Sequence, residues 1–390
     1  MFNNKDYSTK LIGLQGVIIE NIEEKNGTIE VAVSLKRKTH CCPQCGAETN
    51  RIHDYRKQII TDLNIYNKKV NIHLRKRRYV CSHCQKRFIE NTDFLSKYAR
   101  RTMRVTESII NSLRDLVSYS KVAKDHNVSI TTAIRIFDAV SYNPKPLPPV
   151  LLIDEFRGNA DGEKFQCILM NGETKEIIDI LPSRKYADLC KYFSKKDTSN
   201  VRFLVSDLWK PYRDLCRVCF RKAKHVADKY HVIRQTGWAM EDVRKNEQKA
   251  LNKDSRLRYK HCAYLLRKSR LKLKDDEKIK VLQILSVSPK LETAYWLKES
   301  FYDVYNSNTR SYAYESLKNW CLESGNCDIE RFIKCSKTMS EWSQSILNSI
   351  ECPYTNGPIE GMNNKIKVLK RISYGVRNFK RFRNRIIHLD

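Results

Sequence analysis

Apolar and polar positions alternate early in the chain, in the runs Val17–Ile19 and Ile29–Leu35 on either side of Asn26-Gly27. That dipeptide accepts the positive φ angles of a two-residue turn, so residues 14–40 predict a β-hairpin. Val70, Ile72 and Leu74 alternate with polar residues and predict a half-buried strand. From residue 104 the period changes. Ile109, Leu113 and Leu116 mark one face of a helix, Ser120–His126 reads as a short second helix, and Asn127-Val128 as a tight turn. Ser129 is a candidate N-cap for a third helix, Ile130–Val140. A short helix, a turn and a capped helix fit a helix-turn-helix, with a plain helical hairpin as the alternative. Prolines at 144, 146, 148 and 149 then predict a stiff linker over 144–149.

Beyond the linker the apolar runs are short and continuous, as buried strands are. Val150–Ile153, Phe165–Met170 and Ile177–Leu181 predict three strands, with Asn171-Gly172 turning between the last two. A helix over Arg184–Phe193, a strand at Val201–Val205, a helix at Trp209–Cys216 and a short strand at Lys224–Ala227 follow. A three-strand meander followed by alternating helix and strand is the layout of a ribonuclease-H-like domain. Residues 230–350 carry few turn signals and read as a helical insertion. Tryptophans at helical spacing there are mostly core, although one or two could stack on a distorted or unpaired base.

The formal net charge of +29, from 73 Lys+Arg against 44 Asp+Glu, points to a polyanionic partner, most simply DNA. No run approaches the roughly 18 apolar residues of a membrane span, so a soluble cytoplasmic protein with no membrane partner is expected. Of 14 cysteines, most, such as Cys167, Cys190 and Cys262, lie among apolar neighbours and read as core, as does the pair Cys216/Cys219. Cys42, Cys45, Cys81 and Cys84 form two CxxC knuckles around a strand-rich insert, the pattern of a zinc ribbon holding one structural Zn2+. Cys41 and His53 are weaker substitutes. Cations lead into and out of this module, at Lys36–Lys38 and at Arg75, Lys76, Arg77 and Arg78; on a small rigid module they would follow a phosphate backbone. In the helix-turn-helix, Ser129, Thr131, Thr132 and Arg135 would face the major groove.

Three acidic residues stand where a metal-dependent nuclease needs them. Asp154 and Asp207 follow the strands at 150–153 and 201–205, and Glu360 lies in the first turn of a helix opened by Pro358. Carboxylates converging from two strand ends and a helix can hold two divalent ions, Mg2+ or Mn2+, for phosphoryl transfer. Glu155 would point to the other face of its strand. Glu360, Asn364, Lys367 and Arg371 share a helix face, Tyr374-Gly375 ends that helix, and Arg377, Lys380, Arg381, Arg383 and Arg385 form a basic end interleaved with Phe379 and Phe382. The whole reads as a multidomain α+β chain: a zinc-ribbon module over 1–95, a helix-turn-helix region over 96–143, the linker, a ribonuclease-H-like α/β domain beginning at 150–235, a helical insertion over 236–352, and a closing catalytic helix and basic segment over 353–390.

The knuckles CPQC and CSHC, the segments ITTAIRIF, LLIDEF, VSDLWKPY and ADKYHVIR, and the closing IEGMNNKIKVLKRISYGVRNFKRFRNRI together resemble the ISL-three family of bacterial insertion-sequence transposases, of the DDE class. The resemblance spans nearly the whole chain and rests most specifically on the last two segments. It implies that Asp154, Asp207 and Glu360 are the metal-binding triad and that Cys42, Cys45, Cys81 and Cys84 bind zinc. Asp228 and His231 match a family motif with a structural or DNA-contacting role. The implied activity is cleavage and strand transfer at the element's terminal repeats and in target DNA, by a homodimer or higher oligomer on double-stranded DNA in the bacterial nucleoid. A regulator with an inactive catalytic domain and a structure-specific nuclease without strand transfer are the alternatives.

Overall fold

The structure is a computed structural model that describes residues 12–14, 16–96, 98–249, 251–261, 263–306 and 309–389; Cys262, expected in the core, lies outside them. The chain divides into two compact units. The first comprises Met1–Tyr142, Val368–Gly375 and Asn384–Leu389; the second comprises Asn143–Lys367, Val376–Arg383 and Asp390.

In the first unit, strands β1 (Val17–Lys25), β2 (Thr28–Leu35), β5 (Ile52–Ile65) and β6 (Lys68–Val80) form a sheet in the order β1-β2-β6-β5, with β7 (Arg87–Ile89) also pairing β6. β3 (His40–Cys41) and β4 (Glu48–Thr49) make a small separate pair. The β1–β2 turn is at Asn26-Gly27, with φ of 50° and 71°, as the dipeptide predicts. Val31, Val33, Ile60, Val70, Ile72 and Leu74 are fully buried on one sheet face. β5 has no counterpart in the sequence reading, because its run IHDYRKQIITDLNI is mostly polar and only two of its residues are buried. Its partner turn, Tyr66-Asn67, also takes φ of 49° and 61°, without a glycine to announce it.

Helices α1 (Met103–Ser112), α2 (Tyr119–Asp125) and α3 (Ile130–Asp138) pack around Val105, Ile109, Leu113, Val122, Ala133 and Phe137. Ser118 caps α2 by accepting from the Lys121 N–H, and Ser129 caps α3 by accepting from the Thr132 N–H. Leu116, expected on the first helix, lies beyond its end, since Leu113 is already the C-cap.

The second unit is built on a five-stranded sheet, β10-β9-β8-β11-β12, from β8 (Val150–Phe156), β9 (Gln166–Asn171), β10 (Ile177–Leu181), β11 (Phe203–Ser206) and β12 (Lys224–Ala227). β8, β9 and β10 pair antiparallel, whereas β11 runs parallel to both β8 and β12. α4 (Tyr186–Phe193) and α5 (Lys210–Cys219) contribute Leu189, Phe193, Tyr212 and Leu215 to a core shared with Leu151, Ile153, Cys167 and Leu204. The proline-rich stretch is no free spacer: Leu147 is buried in this core and the Lys145 N–H donates to the Ile178 carbonyl.

The helices that follow are α6 (Lys229–Lys249), α7 (Lys253–His261), α8 (Ala263–Arg267), α9 (Asp275–Leu285), α10 (Pro289–Ser300), α11 (Tyr302–Tyr305), α12 (Arg310–Gly325), α13 (Glu330–Glu341) and α14 (Ser343–Glu351). They enclose their own apolar core, with Trp320 and Trp342 inside it. The chain closes with α15 (Gly357–Ile372) and α16 (Phe379–Ile387), separated by Tyr374 and Gly375 at φ of 50° and 94°. No helix among the described residues is long and apolar enough to cross a membrane.

Candidate active site

β8, β11 and β12 are adjacent and parallel, so residues at their C-terminal ends emerge on one edge of the sheet. Asp154 lies near the end of β8, opposite Ile168 of β9; the strand runs on to Phe156, so this acid is inside the ladder rather than after it. Asp207 follows β11 directly and Asp228 follows β12, its N–H donating to the Ser206 carbonyl at 2.9 Å. Three neighbouring strands thus deliver three aspartates.

The setting of Asp154 and Asp207 shows in their protonation. Burial, and then the charge of Asp207, push Asp154 up to about 8. Burial, with the charges of Glu155 and Asp228, pushes Asp207 up to about 7. Like charges withdrawn from water disfavour ionisation until a cation compensates them. The Asp207 Oδ1 is buried and, among the described residues, has no hydrogen-bond partner. An orphaned acceptor beside further carboxylates matches the hard oxygen donors that Mg2+ and Mn2+ select, so the residues present fit such ions.

Asp228 is only 2% exposed and is committed on both oxygens. One accepts from the His231 N–H at 3.2 Å, capping α6, and the other from the Asn356 N–H at 2.9 Å. His231 Nδ1 lies 3.0 Å from Asp207 and 2.8 Å from the Arg234 guanidinium; burial, then Arg234, lowers its basicity. Ligand atoms of Asp207, Asp228 and His231 all lie within 4.8 Å of one another.

Glu360 is exposed in the first turn of α15, and its charge acts on His231. The start of that helix is fastened to the sheet edge through Asn356, whose side chain donates to the Ile153 carbonyl at 3.2 Å and whose carbonyl accepts from the Glu360 N–H at 3.0 Å. Asn363 was not singled out by the sequence reading, yet its Nδ2 donates to Asp154 Oδ2 at 3.1 Å. The available signal was an amide inside the apolar stripe Ile359, Met362, Ile366, Leu369, where a buried polar group needs a partner. Asn364, expected on the active face, is exposed and instead accepts from Lys367. Glu155 points away from this cluster, bonding Arg184 at 2.6 Å and the Tyr212 hydroxyl at 3.1 Å.

In the first unit the four expected thiols meet. Cys42 and Cys84 sulfurs are 3.5 Å apart, Cys45 and Cys81 sulfurs 3.6 Å, and all four lie within 4.8 Å of one another. Zn–S bonds of about 2.3 Å at a tetrahedral centre set an S···S edge of about 3.8 Å, so the cage has the right size. Both knuckles fold alike: Cys42 N–H donates to Ala47 and Gly46 N–H to Cys42, while Cys81 N–H donates to Lys86 and Gln85 N–H to Cys81. Burial raises the Cys42 thiol, but the Gln44 and Cys45 N–H groups and the Cys84 thiol outweigh it and bring it down to about 6. Cys41 and His53 lie outside the cluster.

The expected DNA-contacting residues divide. Arg75 is exposed and lies over the Tyr55 ring, Lys76 is half-buried, and Arg78 sits 3.5 Å from Asp54. The Arg77 guanidinium is already engaged by Glu90 and the Leu35 carbonyl. Thr131 and Arg135 are exposed on α3, while the Ser129 and Thr132 hydroxyls are 2.9 Å apart at its cap. Lys367, Arg371, Arg377 and Lys380 are exposed, and Arg381 is half-buried. Arg383 and Arg385 leave the basic end: the first bonds the buried Asp179, and the second is buried against the carbonyls of Leu113, Asp115 and Val117 beyond α1.

Comparison with known proteins agrees along the chain. Residues 151–386 match a family model described as a transposase, that of the ISL3 DDE domain. Residues 38–84 match the zinc-finger of transposase IS204/IS1001/IS1096/IS1165, and residues 90–141 match the helix-turn-helix domain of transposase family ISL3. The chain is similar to the transposase for insertion sequence element IS1001 of Bordetella parapertussis, 23% identical over 380 residues, 94% of this chain and 93% of that one. It is 37% identical over 108 residues to a Lactococcus lactis protein named an ATP-dependent protease, covering 27% of this chain and 32% of that one. It is 28% identical over 121 residues to the transposase for IS1557 of Mycobacterium tuberculosis, covering 31% of this chain and 27% of that one. The chain belongs to the ISL3 family of transposases.

Proposed function

From that membership we propose that this transposase cuts DNA at the terminal repeats of its element and joins the ends to target DNA, using Asp154, Asp207 and Glu360. The observation that carries the reading is the placement of Asp154, Asp207 and Asp228 at the ends of three adjacent parallel strands, with the charge of Asp207 acting on Asp154 and that of Asp228 on Asp207. The strand order β10-β9-β8-β11-β12 supports a ribonuclease-H-like catalytic domain, and the separate core of α6–α14 supports a helical insertion ahead of α15. A zinc ribbon over 1–95 and a helix-turn-helix over 96–143 would deliver DNA ends to it, with zinc held by Cys42, Cys45, Cys81 and Cys84.

Asp154, Asp207 and Glu360 would hold two Mg2+ or Mn2+ ions, whose Lewis acidity lowers the pKa of an attacking water or 3′-hydroxyl and stabilises the leaving oxygen. Asn363 orients Asp154 by donating to one of its oxygens, and Asp228, through Asn356, fixes the start of the Glu360 helix. His231 and Arg234 border Asp207 as donors toward a phosphate oxygen. The hydroxyls of Ser206 and Tyr212, bonded to the Asp207 carbonyl and to Glu155, are fully buried, so neither is placed as a covalent nucleophile. Two ends must be handled together, which favours a homodimer or higher assembly on DNA.

The test is cleavage and joining of DNA carrying the sequences that flank this gene, comparing the native protein with Asp154→Ala, Asp207→Ala and Glu360→Ala. Metal-dependent 3′-hydroxyl ends and joined products, lost in each variant, support the reading. Cutting without joining favours a nuclease, and specific binding without cutting favours a regulator.

A further inference from the structure

The five tryptophans are not equivalent. Trp320 and Trp342 are buried in the helical core, Trp209 is half-buried beneath Arg184, and Trp296 is half-buried beside Arg270. Trp238 is 47% exposed on α6, the helix that Asp228 caps and from which His231 reaches Asp207. Tyr230, 58% exposed, and Arg234 stand four residues apart on the same face, with Trp238 four further on. The Arg234 guanidinium lies 5.4 Å from the Tyr230 ring and 4.6 Å from the Trp238 ring. Its Nε is buried and, among the described residues, has no hydrogen-bond partner.

Two exposed aromatics with a cation between them, leading away from an acidic cluster, have no use in packing the helical core. Gly237 sharpens the point. A glycine inside a helix costs up to about 1 kcal/mol relative to alanine, and a Cβ at this position would meet nothing within 4 Å. The space beside Trp238 is therefore open.

We propose that the Tyr230–Arg234–Trp238 face of α6 is a stacking platform for an unpaired base of the DNA strand held at the acids. This rests on the reading of Asp154, Asp207 and Glu360 as the cutting site. Every base has a π-face, so aromatic stacking holds a strand without reading its sequence, and the adjoining guanidinium adds a phosphate donor. Seven residues of helix separate His231 from Trp238, about 10 Å at 1.5 Å per residue. That places the held base within roughly three nucleotides of the scissile phosphate, at about 3.4 Å per nucleotide along one strand. The platform's work is to keep a terminal base out of the duplex, so that the phosphate beside it settles at the acids.

The test uses the full-length protein and duplexes carrying the element end, with either an unpaired base or an abasic site at each of three nucleotides flanking the cut phosphate. Affinity is measured without added Mg2+ or Mn2+ for the native protein, Trp238→Ala, Trp238→Leu and Trp238→Phe. At one of these positions the native protein should prefer the base over the abasic site by roughly five- to 100-fold. Trp238→Ala and Trp238→Leu should lose that preference, and Trp238→Phe should retain most of it. A native protein indifferent to the base, or a Trp238→Ala variant that keeps the preference, overturns the platform. A change in oligomeric state with the preference intact does so too, in favour of a contact between copies. Cutting with Mg2+ is followed in parallel. Absence of cutting by the native protein refutes the catalytic reading, whereas normal cutting with no base preference refutes the platform alone.

Discussion

Asn363 donates to Asp154 across 209 residues of sequence, at 3.1 Å, and so ties the helix that carries Glu360 to the strand that carries the first acid. Asn356 fastens the start of the same helix to the Ile153 carbonyl of that strand, and Asn363 adds a second tie at the carboxylate itself. A carboxylate that must present one oxygen in a fixed direction gains most from a donor that fixes the other.

Asn363→Ala should therefore lower the rate of DNA cleavage about 10- to 100-fold while leaving affinity for the DNA end nearly unchanged. Single-turnover kinetics beside equilibrium binding separate the two. An equal loss in both would mean that Asn363 serves DNA binding instead.

The aspartates make the metal-free protein sensitive to pH. Burial and the charge of Asp207 raise Asp154 to about 8, against an unfolded value near 4, so the native state holds more protons than the unfolded state between those limits. Stability contributed by this group is full below about pH 4 and is lost as pH rises toward 8. Thermal unfolding without divalent metal should show a falling Tm across that window, and Asp154→Asn should flatten it. Mn2+ at pH 8 should restore the native protein and leave the variant nearly unmoved.

The zinc cage predicts one Zn2+ per chain by elemental analysis, lost in Cys84→Ser. The four thiols meet between two turns, where the metal would join the knuckles, so metal loss should weaken binding to DNA ends. Metal-dependent nicking of nonspecific DNA should survive, because the acids lie in the other unit.

Arginines in the closing segment should behave differently. Arg385 is buried and satisfies three carbonyls, so Arg385→Met should destabilise the protein by about 2–4 kcal/mol. Arg377 is exposed, and Arg377→Ala should leave stability unchanged while reducing the salt dependence of DNA binding by about one unit of slope. Denaturation and salt titrations distinguish these outcomes.

What the sequence showed and what it hid follow one physical division. Asn26-Gly27, the CxxC knuckles, the cap at Ser129 and the aspartates at strand ends are local signals, each requiring its residue type for a reason within a few residues. β5 lacked such a signal because its residues are mostly polar, and Tyr66-Asn67 turned without glycine. Asn363, Arg77 and Arg385 owe their roles to partners 209, 13 and 272 residues away. Spacing alone gives an arginine in a basic run no sign that its charge is already engaged. Asp228 stood out only through the family resemblance, since its position at a third strand end depends on β12 lying beside β11.

The central claim, that cations held by these acids touch the scissile phosphate, is tested most directly by sulfur substitution. One non-bridging oxygen of the scissile phosphate is replaced by sulfur, and cleavage rates are compared in Mg2+ and in Mn2+. Sulfur is soft and binds Mg2+ poorly but Mn2+ better. One diastereomer should be cut far more slowly than the oxygen substrate in Mg2+ and be rescued in Mn2+. The same oxygen-to-sulfur rate ratio in both metals, for both diastereomers, would contradict the account.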